Sequence, residues 1–140
     1  MPTRLCLPFS LALLLFATVV QASEFRPSRT DVENYCAQSG RIYIKAVLMS
    51  QQEHPDTVKG YINSAIRQTT FINSTFNSPQ MKEFTAGKLF DDISLSQKQV
   101  AEYMALQGGG DQAGKEELLI TAFQDGCVRG FFVDGEQSAR

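Results

Sequence analysis

Histidine is nearly absent from this chain, and its scarcity excludes much of the chemistry that small proteins perform. His54 is the only histidine among 140 residues. Zinc and similar metals prefer clusters of imidazole and thiolate ligands, which one histidine cannot build. Because Pro55 disfavours helical geometry in the residue before it, we expect the imidazole at the C-terminal end of a helix dipole or in solvent. The sequence therefore predicts no catalytic residue, no metal site and no cofactor.

The chain also lacks tryptophan and any excess of positive charge. It carries 13 Lys and Arg against 15 Asp and Glu, for a formal net charge of −2. Nucleic-acid binding depends on a basic surface that displaces counterions from phosphates, and anionic membranes attract the same kind of surface. We therefore expect neither nucleic acid nor an anionic membrane as a partner.

Long apolar runs are missing except at the N-terminus. There Arg4 precedes an almost wholly apolar stretch, and Val20 and Ala22 occupy the −3 and −1 positions of a cleavage site. This order is typical of a secretory signal peptide. A membrane anchor needs about 20 apolar residues, and Pro8 interrupts this shorter run. We predict a cleaved signal over residues 1–22, a single domain over residues 23–140 with no stable membrane anchor, and a periplasmic or extracellular location.

Cysteine is scarce, and its placement is informative. Cys6 belongs to the predicted signal, which leaves Cys36 and Cys127. Two cysteines in an oxidising compartment favour one structural disulfide, and no Cys-x-x-Cys motif indicates a redox pair. Because the loop between these two cysteines is long, a disulfide that closes it adds on the order of 4–5 kcal/mol to the free energy of unfolding in the chain-entropy model. The bond would also hold the first and last helices side by side.

Apolar residues recur at steps of three and four, which predicts an α fold, and no alternating stretch is long enough to indicate a strand. We expect a small bundle of about five helices with a polar loop at 73–78 and a polar tail at 134–140. The first expected helix runs from a capping box at Thr30 and Glu33 to about His54, and the second is capped by Asp56. The third runs from Ser78 and Pro79 toward Asp91 and Asp92, and the fourth from Ser94 or Ser96 to the Gly108–Gly110 linker. The fifth begins at about Asp111.

The first helix carries a second apolar stripe, so that it is apolar on two faces. Such a helix is buried on both faces, either at the centre of the domain or against another subunit; we favour the central position. The residues of the Phe131-Phe132-Val133 run cannot all point inward from the end of one helix, so part of the run covers the core or forms a contact patch. The candidate interface residues are Ala37, Gly40, Ile44, Leu48, Phe131 and Phe132.

Paired carboxylates are the remaining candidates for catalysis. Neighbouring residues on a helix point about 100° apart, whereas a glycosidase needs two carboxylates facing one another across a cleft. Acidic residues in a first helical turn also favour the helix dipole, which is the structural interpretation that we prefer. The carboxylates in question are Asp91, Asp92, Glu102, Glu116 and Glu117.

These patterns favour a small secreted helical protein that acts by binding another protein, without catalysis. The order of a signal, a cysteine in the first helix and another near the end resembles the layout of small helical immunity proteins, which neutralise cell-wall-degrading effectors in bacterial envelopes. The resemblance implies an immunity- or inhibitor-like role with a protein partner, and it assigns no residue. The alternatives are a structural or chaperone-like envelope protein that forms a homodimer, and a carboxylate-based hydrolase.

Overall fold

The protein is all-α, with four helices in the part of the chain that the structure describes. The computed structural model describes residues 26–106 and 110–138. Helix α1 spans Arg29–Met49, α2 Pro55–Gln68, α3 Pro79–Ala105 and α4 Gln112–Ser138. The predicted α class is confirmed, but the prediction of five helices is wrong. No helix within these two ranges is both long and apolar enough to cross a membrane. The predicted signal peptide lies outside the described residues.

Helix α1 packs against each of the other three helices, as α3 also does, and its contact with α4 is the most extensive between any two helices. Side chains around most of its circumference are buried, among them Val32, Tyr43 and Ile44. A helix that is apolar on more than one face needs cover on each of them. The second apolar stripe of the sequence is accordingly covered in large part by the chain itself.

A disulfide joins α1 to α4, as the sequence predicts. The Cα atoms of Cys36 and Cys127 are 5.7 Å apart, and both residues are buried. One turn along α1, a Cβ atom added at Gly40 would lie 2.7 Å from Cδ1 of Phe123 on α4. Gly40 therefore lets an aromatic ring of α4 rest directly on the backbone of α1.

The third and fourth helices expected from the sequence are one continuous helix, α3. Residues 91–96 contain neither proline nor glycine, so nothing local ends the helix there. The Tyr43 hydroxyl of α1 donates to the Asp92 carbonyl oxygen at 2.9 Å and shares a second hydrogen bond with the Ser96 hydroxyl at 2.7 Å. The polar residues that suggested a break are thus a buried contact between α1 and α3.

The start of α1 lies two residues earlier than predicted. The Ser28 hydroxyl accepts from the Asp31 amide, and the Asp31 carboxylate accepts from the Ser28 amide, both at 3.1 Å. This reciprocal pair is a capping box, and it leaves Thr30 inside the helix. Asp31 also accepts from the Asn73 side chain at 3.0 Å, a long-range contact that the local pattern could not reveal.

His54 begins a helix instead of ending one. Helix α1 stops at Met49, and Pro55 is the first residue of α2. Nδ1 of His54 accepts from the Asp56 amide at 3.1 Å, so the expected place at a helix C-terminus is wrong. The alternative expectation of a solvent-exposed imidazole is confirmed, because the side chain is 73% exposed. The proline does keep His54 extended, at ψ 143°. The same proline favours the first turn of the helix that follows, because its missing N–H is not needed there.

Two lysines close the C-terminal ends of the helices that precede them. Lys82 of α3 donates to the carbonyl oxygen of Arg67, in the last turn of α2, at 3.1 Å and to that of Thr69, just after α2, at 2.5 Å. Lys115 of α4 donates to the Met104 carbonyl oxygen at 3.1 Å and to that of Leu106. The last carbonyls of a helix lack partners within it, so each ammonium stabilises one helix–helix connection.

The connection between α2 and α3 is polar by composition, yet it carries buried aromatic rings. Phe71 and Phe76 are almost fully buried, and Phe76 stacks on Tyr35 of α1 with ring centroids 4.2 Å apart. The Asn77 side chain donates to and accepts from the Phe71 backbone, both at 2.7 Å. Phe131 of α4 meets the same cluster edge-on. The loop is thereby fixed to the α1–α4 pair.

Candidate functional site

Among the described residues, a concave surface lies between α2 and α3. These helices run antiparallel, because the end of α2 meets the start of α3 at Lys82 and the start of α2 faces the middle of α3. Two depressions follow one another along this pair. We call them the basic groove and the acidic notch.

The basic groove has a volume of about 750 Å³ and lies beside the end of α2. Buried Ile66 and Ala86 contribute apolar surface to its lining. Its charged residues are Lys59, Arg67, Lys82 and Glu83. Three cations against one carboxylate leave the groove positive at neutral pH.

The acidic notch has a volume of about 370 Å³ and lies beside the start of α2. Val58 and Ile93 are buried beneath it, and Pro55 and Phe90 add apolar surface. Its charged residues are Glu53 and Asp91, both exposed. The Gln97 side chain donates to the Ser50 carbonyl oxygen at 3.1 Å, which ties the end of α1 to α3 at this point.

A cation–π contact separates the two depressions. The Lys59 ammonium, which lines the groove, lies 5.6 Å from the ring centroid of Phe90, which lines the notch. Among the described residues, no ion pair engages Glu53, Asp91 or Arg67. The two ends of this surface therefore present opposite charges to solvent, with apolar surface between them.

Glycines lie inside both helices of the pair. Gly60 is in α2 and Gly87 in α3, and a Cβ atom added at either would meet nothing within 4 Å. Glycine inside a helix costs about 1 kcal/mol relative to alanine, and neither position needs glycine for packing. Gly87 lines the basic groove, so its missing side chain widens the groove.

The five candidate carboxylates are dispersed. Asp91 is in the notch, whereas the adjacent Asp92 points into the bundle, as the rotation between neighbouring helical residues requires. Glu102 lies 3.9 Å from Lys98, and Glu117 pairs with Arg41 at 3.0 Å. Glu116 raises the pKa of Tyr61, although burial is the larger cause of that shift. Within the described ranges, no group of three or more His, Cys, Asp or Glu residues could hold a metal ion.

Asp92 is the one of these carboxylates with an unusual environment. It is 6% exposed, and its Oδ2 has no hydrogen-bond partner among the described residues. Burial raises the pKa of this carboxyl, although the nearby Lys88 opposes the shift. Asp92 lines neither of the two depressions, so we interpret it as part of the α1–α3 contact and not as a catalytic group.

The predicted interface residues lie mostly within the bundle. Gly40 and Ile44 are buried, and Ala37 and Leu48 are partly buried. Phe131 belongs to the aromatic cluster, and Arg29 covers the ring of Phe132 at 5.6 Å. Burial inside the protomer already accounts for Gly40 and Ile44. A homodimer through these residues stays a prediction.

Sequence reasoning missed the α2–α3 surface. Its charged residues are far apart in the chain, and each is unremarkable in its local context. The available signal was a pair of glycines inside predicted helices, at positions where alanine would be favoured.

Comparisons with protein-family models, with curated proteins and with solved structures found no match.

Proposed function

We propose that this protein is a secreted, non-catalytic binding protein with an immunity- or inhibitor-like role, and that it engages a partner protein through the α2–α3 surface. The observation that carries the proposal is the succession of the basic groove and the acidic notch along the α2–α3 pair, with the contact between Lys59 and Phe90 between them. Protein interfaces combine an apolar centre with a polar rim. On the α2–α3 surface, the apolar lining of the two depressions corresponds to such a centre, and the exposed charges at the two ends correspond to the rim.

The physical state of the surface supports binding. Both depressions are walled by helices, so little conformational entropy is lost when a partner docks. The exposed charges at the two ends already lack ion-pair partners, and a partner of complementary charge would gain attraction and a faster encounter. The helices are held in place from beneath by Ile66, Val58 and Ile93, which are buried.

Secretion is the second part of the proposal. Residues 1–22 have the pattern of a signal peptide, and the disulfide between Cys36 and Cys127 suits an oxidising compartment. Mass spectrometry of the protein from its native host tests this part. We expect a chain beginning at Ser23 with both cysteines oxidised. A reduced chain that retains residues 1–22 would contradict it.

Site-specific crosslinking tests the binding surface. A photoreactive phenylalanine is placed at Gly87, within the groove, or at Gly60, which does not line it. Both sites are helical and open to solvent, so both variants should fold equally well. The variants are irradiated in the native host, and adducts are identified by mass spectrometry.

The expected result is one discrete protein adduct from Gly87 and none from Gly60. The identified protein is then purified, and its affinity is measured by calorimetry against the wild type and against Gly87→Arg and Gly60→Arg. We expect only Gly87→Arg to weaken binding, by about tenfold or more, since it fills the groove. Equal affinity for all three chains would exclude the groove as the binding site.

A further inference from the structure

We infer that the α2–α3 surface receives a short amphipathic helix of the partner, whose acidic end lies over Arg67 and Lys82 and whose basic end lies over Glu53 and Asp91. This inference rests on the proposed function and specifies the chemistry of the partner. It is carried by the length, the shape and the charge order of the surface.

The length of the surface fits a helix of about three turns. The lining residues of α2 extend from Pro55 in the notch to Arg67 in the groove. The twelve steps from Pro55 to Arg67, at a rise of about 1.5 Å each, correspond to about 18 Å along the helix axis. A partner segment of about 12 helical residues would therefore contact both depressions at once.

The shape favours a helix over a flat protein surface. Two antiparallel helices leave a valley between them, and a third helix packs into such a valley by placing its ridge of side chains there. Ala86 and Gly87 are small residues on the groove side of α3, which allows close approach. Helix-in-groove binding uses apolar anchors spaced by three or four residues, and Ile66 and Ala86, which are almost fully buried, form an apolar floor beneath the groove.

The charge order sets the direction of the bound helix. Its acidic residues belong over Arg67 and Lys82, and its basic residues over Glu53 and Asp91. A helix with acids in its first turn and bases in its last turn is also stabilised by its own dipole. The two conditions agree when the helix begins at Arg67, so that it runs parallel to α3 and antiparallel to α2.

Two synthetic peptides test the inference. Both are 14-residue helices with the same Leu and Ala stripe; the first has Glu in its first turn and Arg in its last, and the second has these turns exchanged. Each peptide is titrated into the isotope-labelled protein, in the processed form that its host produces and with the disulfide intact. Amide chemical shifts report the site, and the same titration gives the dissociation constant.

We expect the first peptide to shift amides of α2 and α3 around the groove and the notch, with about five- to tenfold higher affinity than the second. Two exposed ion-pair contacts of modest strength account for a ratio of this size. Raising the salt concentration from 0.05 to about 0.5 M should reduce the ratio, because these charges are screened.

A charge-neutralised protein sharpens the test. The double variant Arg67→Glu with Asp91→Lys leaves each depression with equal numbers of positive and negative residues and does not change the net charge, and both residues are exposed. It should bind the two peptides with equal affinity. The control is the double variant Lys98→Glu with Glu102→Lys, an exposed i,i+4 pair outside both depressions, which should keep the preference of the wild type.

Equal affinity for the two peptides, no binding of either, or shifts confined to other helices would overturn the inference. Shifts of groove amides that depend on protein concentration alone would identify a second copy of this chain as the occupant and would also overturn it. If Gly87 still crosslinks to a partner that binds through the groove, the proposed function stands and only the bipolar helix is excluded.

Discussion

The α1–α4 side of the molecule and the α2–α3 side are built differently. On the first side, a buried disulfide, a ring resting on Gly40 and a cluster of aromatic rings join the two helices. On the second side, two open depressions and two glycines without neighbours lie on the surface. We interpret the first side as the source of stability and the second as the surface for recognition.

If the α2–α3 surface binds a partner as proposed, the difference shows how a small domain can combine stability with an open groove. A chain of this size has a modest core, and every residue kept for binding is withdrawn from packing. A covalent bond on one side compensates for open surface on the other. Substitutions on the two sides should therefore change different properties, and the following expectations test that separation.

Removing the disulfide should have the largest effect. The bond closes a loop with a sequence separation of 91, and its loss from a small secreted domain typically costs about 2–5 kcal/mol. We expect the variant Cys36→Ala with Cys127→Ala to lose this much free energy of unfolding in urea denaturation. A loss below about 1 kcal/mol would show that the stability of the α1–α4 side does not depend on the bond.

Gly40→Ala should destabilise the protein by about 1–3 kcal/mol, because the new Cβ would overlap the ring of Phe123 and overpacking costs this much. The gain in helix propensity from alanine is smaller. Thermal and urea unfolding measure the change. A variant as stable as the wild type would mean that the Phe123 ring can move aside and that α1 and α4 are not tightly packed at Gly40.

Asp92→Asn should raise stability at pH 7 by about 1 kcal/mol, because a buried carboxylate oxygen without a partner is costly. Burial raises the pKa of Asp92 in the folded protein. The favourable contribution of Asp92 to the free energy of unfolding is therefore fully present below the ordinary carboxyl pKa, where the folded and unfolded states are both protonated. It is lost as the pH rises through the pKa that Asp92 has in the folded protein. The two proteins should converge in urea unfolding near pH 3.

Asp31→Asn is the matched control, for which we expect a change in stability at pH 7 of the opposite sign. Hydrogen bonds from Asn73 and Ser28 lower the pKa of Asp31. Its contribution is present above the ordinary carboxyl pKa and is lost as the pH falls through the folded pKa. This variant should be less stable than the wild type at pH 7 and should approach it in acid. The same pH dependence for both variants would contradict these assignments.

Gly87→Ala and Gly60→Ala should each stabilise the protein by about 0.5–1 kcal/mol, in contrast to Gly40→Ala. Both positions are helical with open space around them, so alanine improves helix propensity without a clash. Thermal unfolding of the three alanine variants compares the two sides directly. Destabilisation at Gly87 or Gly60 would show that the α2–α3 side is packed more tightly than its surface indicates.

The smallest effect is expected at His54. Its Nδ1 caps α2, and loss of an N-cap costs about 0.5–1 kcal/mol at an exposed site. His54→Ala should be slightly less stable than the wild type, and His54→Ser at least as stable, because serine is a preferred cap. Equal stability of the alanine and serine variants in urea unfolding would exclude a capping role.

Several features of the fold were accessible from sequence alone because they depend on local chemistry. The start of α3 follows from Ser78 and Pro79, where the serine side chain accepts from the Met81 amide. The disulfide follows from counting the cysteines left by the predicted signal peptide. The left-handed backbone at Gly110, with φ 100°, lies in the glycine run that was expected to separate two helices. In each case a few neighbouring residues contain the whole physical reason.

The errors arose where distant residues supply the reason. Asp92 and Ser96 suggested a break between helices, yet Tyr43 of α1 satisfies them inside a continuous α3. Thr30 and Glu33 matched a capping box, but Ser28 and Asp31 form it, and Asn73 binds the same carboxylate from the loop. Local patterns cannot rank such alternatives, because the deciding hydrogen bond crosses more than 40 positions in the chain.

The sequence by itself determined the helical class and the disulfide that joins the first helix to the last, since periodicity and cysteine pairing are properties of the chain. Only the tertiary structure decided that Glu53 and Asp91 form one end of a surface and Arg67 and Lys82 the other. These residues belong to separate segments, and their positions depend on how α2 and α3 pack against one another. Packing depends on the whole core, so no local pattern contains it.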